Sequence, residues 1–155
     1  MKKRGQTVRD TWMRRCDISL FMSSKEDPKF PAVGLDVLPG RKHIASKAKA
    51  AWKYIYKHYL NEADFFVKAD PDTYIIIENL KSFLSEKNPN ATEYYGHVYQ
   101  HKNWEFSYTA GGPGIVLTRN SVKVLVEEAF NIKPDCMPDG QGTTIVLKNI
   151  YLIFQ

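Results

Sequence analysis

Asp70 and Asp72 flank Pro71 just after the apolar triplet Phe65-Phe66-Val67, Lys68 and Ala69, and aliphatic residues resume at Ile75. Two carboxylates at i and i+2 supply the hard oxygen ligands that suit Mg²⁺ or Mn²⁺. Those ions keep several waters and bridge to substrate phosphates, so the pair suits a nucleotide-diphosphate sugar. There a bound divalent ion neutralises the diphosphate leaving group as the anomeric bond breaks. The same residues also admit a purely structural account. Pro71 pushes Asp70 toward extended backbone and removes one donor. Asp72 can then be a helix N-cap, its carboxylate accepting from the first helical N–H groups. On spacing alone the cap is the account to prefer, because an Asp-x-Asp triplet is common, and the metal account needs more than the triplet.

The elements around the triplet decide what it could face. Segments alternate between two hydrophobic periods, which is the mark of an α/β domain. Asp17 to Ser24 reads as a short buried strand, and the proline- and glycine-bearing stretch from Ser24 to Arg41 reads as a loop. Ala48, Trp52, Ile55 and Tyr59 share a helical face, which predicts a helix over about residues 42–60. The run from Asp64 to Asp70 lacks alternation and reads as a strand covered on both faces, in a mostly parallel sheet. Asp70 and Asp72 would then lie at its carboxyl end, the side on which open α/β sheets bind ligands. Ile76, Ile77, Leu80, Phe83 and Leu84 predict a second helix. The stretches YYGHVY and TAGGPGIVLT predict strands, the latter with a glycine-rich lead-in. Val122, Leu125, Val126, Ala129 and Phe130 predict a last helix capped by Thr118.

The chain has 155 residues, 43% hydrophobic and 13% aromatic, enough for one domain with a real core. Net charge is +5, and much of the excess sits in Lys2, Lys3, Arg4, Arg9, Arg14 and Arg15. A basic start can fit an anionic substrate, lipid headgroups or nucleic acid, but a solvated helix face is the preferred reading. No nucleic-acid-binding motif accompanies it, so no nucleic-acid partner is expected. Cys16 and Cys136 are far apart and lack CxxC spacing, which argues against zinc. Asn90-Ala91-Thr92 is an N-glycosylation triplet in a polar stretch. No apolar stretch is long enough to span a bilayer.

Taken together, RDTWMRRC, LFMSS, FPAVGL, PGR, KYIYKHYLNEADFFVKADPDTYIIIENLKSFL and AGGPGIVLTRNSVKVLVEEAF resemble the core 1 β1,3-galactosyltransferases. These are a Fringe-like branch of glycosyltransferase family 31, and the resemblance runs from about Val8 to Phe130. It implies a GT-A fold, a Rossmann-like α/β domain, and inverting transfer of galactose from UDP-galactose to O-linked N-acetylgalactosamine on Ser or Thr, with Mn²⁺. It also implies a type II membrane protein of the Golgi with a lumenal catalytic domain, and a homodimer. Carried onto this sequence, Asp70 and Asp72 match the family's metal-binding Asp-x-Asp, with Pro71 where many members have a third acid. Arg41 and Lys47 match basic family positions near the nucleotide, and Lys68 precedes the triplet, where a cation could lie near the diphosphate; each has a solvated lysine or arginine as its plain alternative. Gly111 and Gly112 match the glycine-rich stretch that lets backbone approach the sugar, with a strand bulge as the alternative.

The departures from that pattern bear on catalysis. Where the family places an acidic pair that provides the general base, this sequence has Thr143 and Thr144, and Asp139 is the nearest carboxylate. Lys148 stands near a family glycine, and His43, His58, His97 and His101 match no family ligand. The family's first strand, membrane anchor and later histidine ligand have no counterpart in these residues. The expectation is therefore one partial GT-A domain over residues 1–155, incomplete at both ends, with the donor and metal half of the site and little activity. Two alternatives stand beside it. One is a degenerate member acting as a binding partner or chaperone. The other is a family 31 transferase with another donor or acceptor.

Overall fold

The computed structural model describes residues 2–28, 30, 32–100 and 107–131. Helix α1 (Lys2–Asp10) runs into a 3₁₀ turn (Trp12–Arg15), then strand β1 (Phe21–Ser23) and strand β2 (Ala32–Gly34). A 3₁₀ turn (Arg41–His43) opens helix α2 (Ile44–Tyr59), which is followed by β3 (Phe65–Lys68) and α3 (Ile77–Leu84). Strands β4 (Tyr94–Gly96), β5 (Val98–Gln100), β6 (Ser107–Thr109) and β7 (Ile115–Thr118) precede α4 (Arg119–Val124) and a π-helical turn (Leu125–Ala129). The mixed α/β character read from the periodicity is present.

The central sheet has the order β3-β7-β4. On one face Phe66 of β3 and Leu117 of β7 pack with Trp52 of α2, Val122 of α4 and Leu125. On the other, Phe65, Val116 and Tyr95 pack against Leu80 and Leu84 of α3. Alternate residues of a strand point to opposite faces, so Phe65 and Phe66 serve different layers. A third cluster of Val8, Trp12, Met13 and Ile77 joins the N-terminal helical segment to the start of α3. Burying a side chain such as Leu117 or Ile77, each 3% exposed, stabilises the fold by roughly 1.5–3 kcal/mol.

Three expectations are corrected. The central sheet is antiparallel: β7 pairs antiparallel with both β3 and β4, and among the described strands only β1 and β2 run parallel. An apolar run without alternation reports cover on both faces, and helices supply that cover here whatever the strand direction. Even that cover is partial, since Val67 is 39% exposed. The stretch expected as one loop contains β2, three residues long and too short to show a period. Asp72 caps no helix: α3 begins at Ile77, with Ile76 in the cap position and no side-chain cap. The Thr118 cap does form, accepting the Ser121 N–H.

Candidate functional site

Lys68, the last residue of β3, stands opposite Ile115, the first of β7. The segment leaving β3 and the glycine loop leading into β7 therefore meet at one end of the sheet, although more than forty residues separate them. Pro71 sets the turn: the Thr73 N–H donates to the Asp70 carbonyl at 3.0 Å, closing a tight turn over Asp70-Pro71-Asp72-Thr73. A second turn closes from the Gly114 N–H to the Gly111 carbonyl at 3.3 Å. Gly114 has φ +109°, where a side chain would be strained.

Side chains tie the two turns together. The Lys68 ammonium donates to Asp70 Oδ1 at 2.8 Å and to the Gly111 carbonyl at 3.4 Å. The Thr73 hydroxyl donates to the Gly112 carbonyl at 2.5 Å. From the N-terminal segment, Trp12 Nε1 donates to the Thr73 carbonyl at 3.0 Å, and Arg4 Nη1 donates to Asp72 Oδ2 at 3.1 Å. A Cβ on Gly111 would press on the Lys68 ammonium at 3.3 Å, and one on Gly112 would sit 3.9 Å from Asp70 Oδ2. The two glycines thus lie directly against the Lys68 ammonium and the Asp70 carboxylate, and a side chain on Gly111 would crowd the ammonium.

Among the described residues no group of three or more His, Cys, Asp or Glu gathers to hold a metal, so no all-protein cage forms there. The residues present fit a different mode. The Asp70 and Asp72 side chains are 45% and 62% exposed. Each pairs with one cation through one oxygen. Mg²⁺ and Mn²⁺ sites of the phosphate-bridging kind take one or two carboxylates, retained waters and substrate oxygens. Asp70 and Asp72 would be the ligands, and the ion would supply charge neutralisation to a bound diphosphate.

Of the six residues expected around a donor, Lys68, Asp70, Gly111 and Gly112 come together. Arg41, exposed in the turn before α2, and Lys47, half-buried on α2, share no hydrogen bond or ion pair with this corner among the described residues. Asn90 is exposed in a turn at the opposite end of β7, where the Ala91 N–H donates to the Asn88 carbonyl at 3.1 Å. Thr143, Thr144, Asp139, Lys148, Cys136 and His101 lie outside the described residues. His58 stacks on Tyr54 and His97 meets Tyr99 edge-on, as packed surface rings. The start of the chain is not simply solvated: Arg4 pairs with Asp72, Arg9 and Arg14 with Asp10, and Arg15 with Glu78. Sequence reasoning missed Arg4, Trp12, Thr73 and Gly114. Thr73, closing the turn that Pro71 opens, and Gly114, following Pro113, carried local turn signals.

The Fringe-like family model matches residues 1–142. The chain is 39% identical over 127 residues to glycoprotein-N-acetylgalactosamine 3-beta-galactosyltransferase 1 of Xenopus laevis, covering 82% of this chain and 35% of that protein. It is 26% identical to chondroitin sulfate synthase 3 of Mus musculus, covering 79% of this chain and 16% of the relative. Against beta-1,3-glucosyltransferase of Mus musculus the figures are 24%, 85% and 27%. The chain spans about a third or less of these relatives' lengths. With the family model matched over most of the sequence, and a relative 39% identical across 82% of it, the chain belongs to the Fringe-like family.

Proposed function

We propose that this chain forms the donor- and metal-binding part of a GT-A-type, inverting β1,3-galactosyltransferase that uses UDP-galactose. The acceptor would be O-linked N-acetylgalactosamine on Ser or Thr of a glycoprotein. The observation that carries the reading is the corner where the Asp70–Thr73 turn meets the 110–114 loop, with Lys68 spanning both. The reading assigns Asp70 and Asp72 to a Mn²⁺ ion, as the chemistry of two half-exposed carboxylates supports. Lys68, released in part from Asp70, would face the diphosphate. Gly111 and Gly112 would leave room for the sugar. Arg41 and Lys47 remain candidates for the nucleotide end.

Thr143 and Thr144 cannot take a proton from an acceptor hydroxyl near neutral pH. Asp139 is the fallback base, and general base catalysis contributes ~10²–10⁴-fold. By the same reading the protein acts in the Golgi lumen, is dimeric, and carries a glycan on Asn90. Within the described residues no helix is long and apolar enough to cross a membrane. A transferase of the same family with another donor or acceptor is the second reading. It is favoured by relatives whose names denote a chondroitin sulfate synthase and a glucosyltransferase.

The test is calorimetry of UDP binding with and without Mn²⁺. Asp72→Asn removes the charge and keeps the shape. The expected result is loss of Mn²⁺-dependent UDP binding by at least tenfold, about 1.4 kcal/mol. Unchanged Mn²⁺-dependent binding would remove Asp72 from the site.

A further inference from the structure

We propose that Arg4 is an exchangeable counter-ion of Asp72, holding that carboxylate until a metal–nucleotide complex arrives and then passing to the diphosphate. The inference rests on the metal reading of Asp72 given above. Three observations carry it. Arg4 touches Asp72 through one guanidinium nitrogen and one carboxylate oxygen at 3.1 Å, and the two side chains are 69% and 62% exposed. The contact is therefore single and open to water, and such pairs are readily exchanged. Next, the segment bearing Arg4 is fixed at its far end. Val8 and Trp12, each 7% exposed, pack with Ile77, and Trp12 Nε1 holds the Thr73 carbonyl. Arg4 lies one turn before Val8 on the same helical face, so the buried anchor aims it over the Asp70–Thr73 turn. Finally, a guanidinium has a fork of donors that fits a phosphate as well as a carboxylate, and among the described residues only Nη1 of that fork is engaged.

A metal ion approaching alone must compete with Arg4 for Asp72. One that arrives with a diphosphate offers Arg4 a second anion, so the arrangement favours the metal–nucleotide complex over the bare ion. An exposed pair of this kind changes an affinity by at most about fivefold.

The experiment titrates the full chain with Mn²⁺ alone, reading the free ion by electron paramagnetic resonance, and with UDP at fixed Mn²⁺ by calorimetry. Arg4→Gln is expected to bind Mn²⁺ alone up to about fivefold more tightly and UDP–Mn²⁺ several-fold more weakly. Arg4→Lys, which keeps the charge, is expected to lie nearer the parent in both. In an Asp72→Asn background, Arg4→Gln should leave the affinity for Mn²⁺ alone unmoved. If Arg4→Gln matches the parent in both titrations while Asp72→Asn loses UDP–Mn²⁺, the exchange is overturned and the metal reading stands. Tighter Mn²⁺ with unchanged UDP overturns the hand-over to the diphosphate. Weaker binding of Mn²⁺ alone by Arg4→Gln overturns the competition. If Asp72→Asn also matches the parent, both ideas fall together.

Discussion

At its carboxyl end, β7 finishes in Thr118, which is fully buried beside Ser121 at 2% exposure. The Thr118 hydroxyl donates to the Ala91 carbonyl at 2.7 Å and accepts the Ser121 N–H at 3.1 Å, while the Ser121 hydroxyl donates to the Glu93 carbonyl at 2.6 Å. At its amino end, the same strand receives the glycine loop. There Lys68, Asp70, Thr73 and Asp72 are half-buried or exposed, and the carboxylates keep oxygens without a partner among the described residues. Both corners use a threonine hydroxyl to pin a carbonyl from a distant segment. They differ in what is left over. A satisfied network centred on a fully buried threonine gains only rigidity, whereas carboxylates held by single cations at the surface are preorganised and still exchangeable. The first arrangement suits a frame, and the second is what the proposed site would require.

The comparison predicts opposite failures for changes of similar size. Thr118→Val keeps the volume but strands the buried Ser121 N–H and removes a donor from the half-buried Ala91 carbonyl. It should cost about 1–3 kcal/mol of unfolding free energy in a denaturant titration. Whatever remains folded should bind UDP–Mn²⁺ like the parent. Asp72→Asn should do the reverse, losing binding while its stability shifts by no more than about 0.5 kcal/mol. If Thr118→Val instead abolished binding in a fully folded chain, the two ends of β7 would not be separable, and the contrast would fail.

Thr73 sharpens the comparison because it sits between the two rules. Its hydroxyl pins Gly112 as Thr118 pins Ala91, but it is only half-buried. Thr73→Val should therefore cost about 0.5–1.5 kcal/mol, less than Thr118→Val, which also strands the buried Ser121 N–H. It should also loosen the glycine loop against the Asp70 turn and weaken UDP–Mn²⁺ binding several-fold. Thr73→Ser, which restores the donor, should recover binding. Failure of serine to rescue would mean that the methyl group, and not the hydroxyl, positions the loop.

How much of this was legible follows from the range of each interaction. Helix α2 was readable because Trp52, Ile55 and Tyr59 repeat along one face, and the Thr118 cap because capping is local. The Lys68–Asp70 pair and the glycine loop could be marked as chemistry-bearing, and they do meet. That they meet through an antiparallel β7 was not readable, because direction is set by the path through α3 and the β5–β6 hairpin, not by composition. The Asp72 cap failed for a physical reason: the Asp70–Thr73 turn leaves residues 74–76 outside the helix, so the free N–H groups start well beyond the carboxylate. Arg4 and Trp12 were invisible as site-building residues, since their partners lie more than sixty positions away.

The smallest expected effect comes from a pair that resembles Arg4–Asp72 in geometry and lacks its setting. Lys81 donates to Asp17 at 2.9 Å, with side chains 50% and 86% exposed, and the pair joins α3 to the segment after the first 3₁₀ turn, away from the glycine loop and the Asp70–Thr73 turn. The hydrogen bond and charge of Lys81 hold the Asp17 carboxyl below its ordinary value of 3.8. A carboxylate whose pKa falls on folding contributes stability that is fully present above the unfolded value. It is lost as pH drops through the folded one. Asp17→Asn should thus lower the melting temperature slightly at pH 5 and above, and the difference from the parent should shrink as pH falls below 3.8. Salt should erase it as well, because exposed pairs are screened. UDP–Mn²⁺ binding should be unaffected at every pH where the chain is folded. A binding loss comparable to that of Asp72→Asn would show that any exposed lysine- or arginine-paired aspartate in this chain matters to the anion, and that the corner at Asp70–Thr73 has no special claim to it.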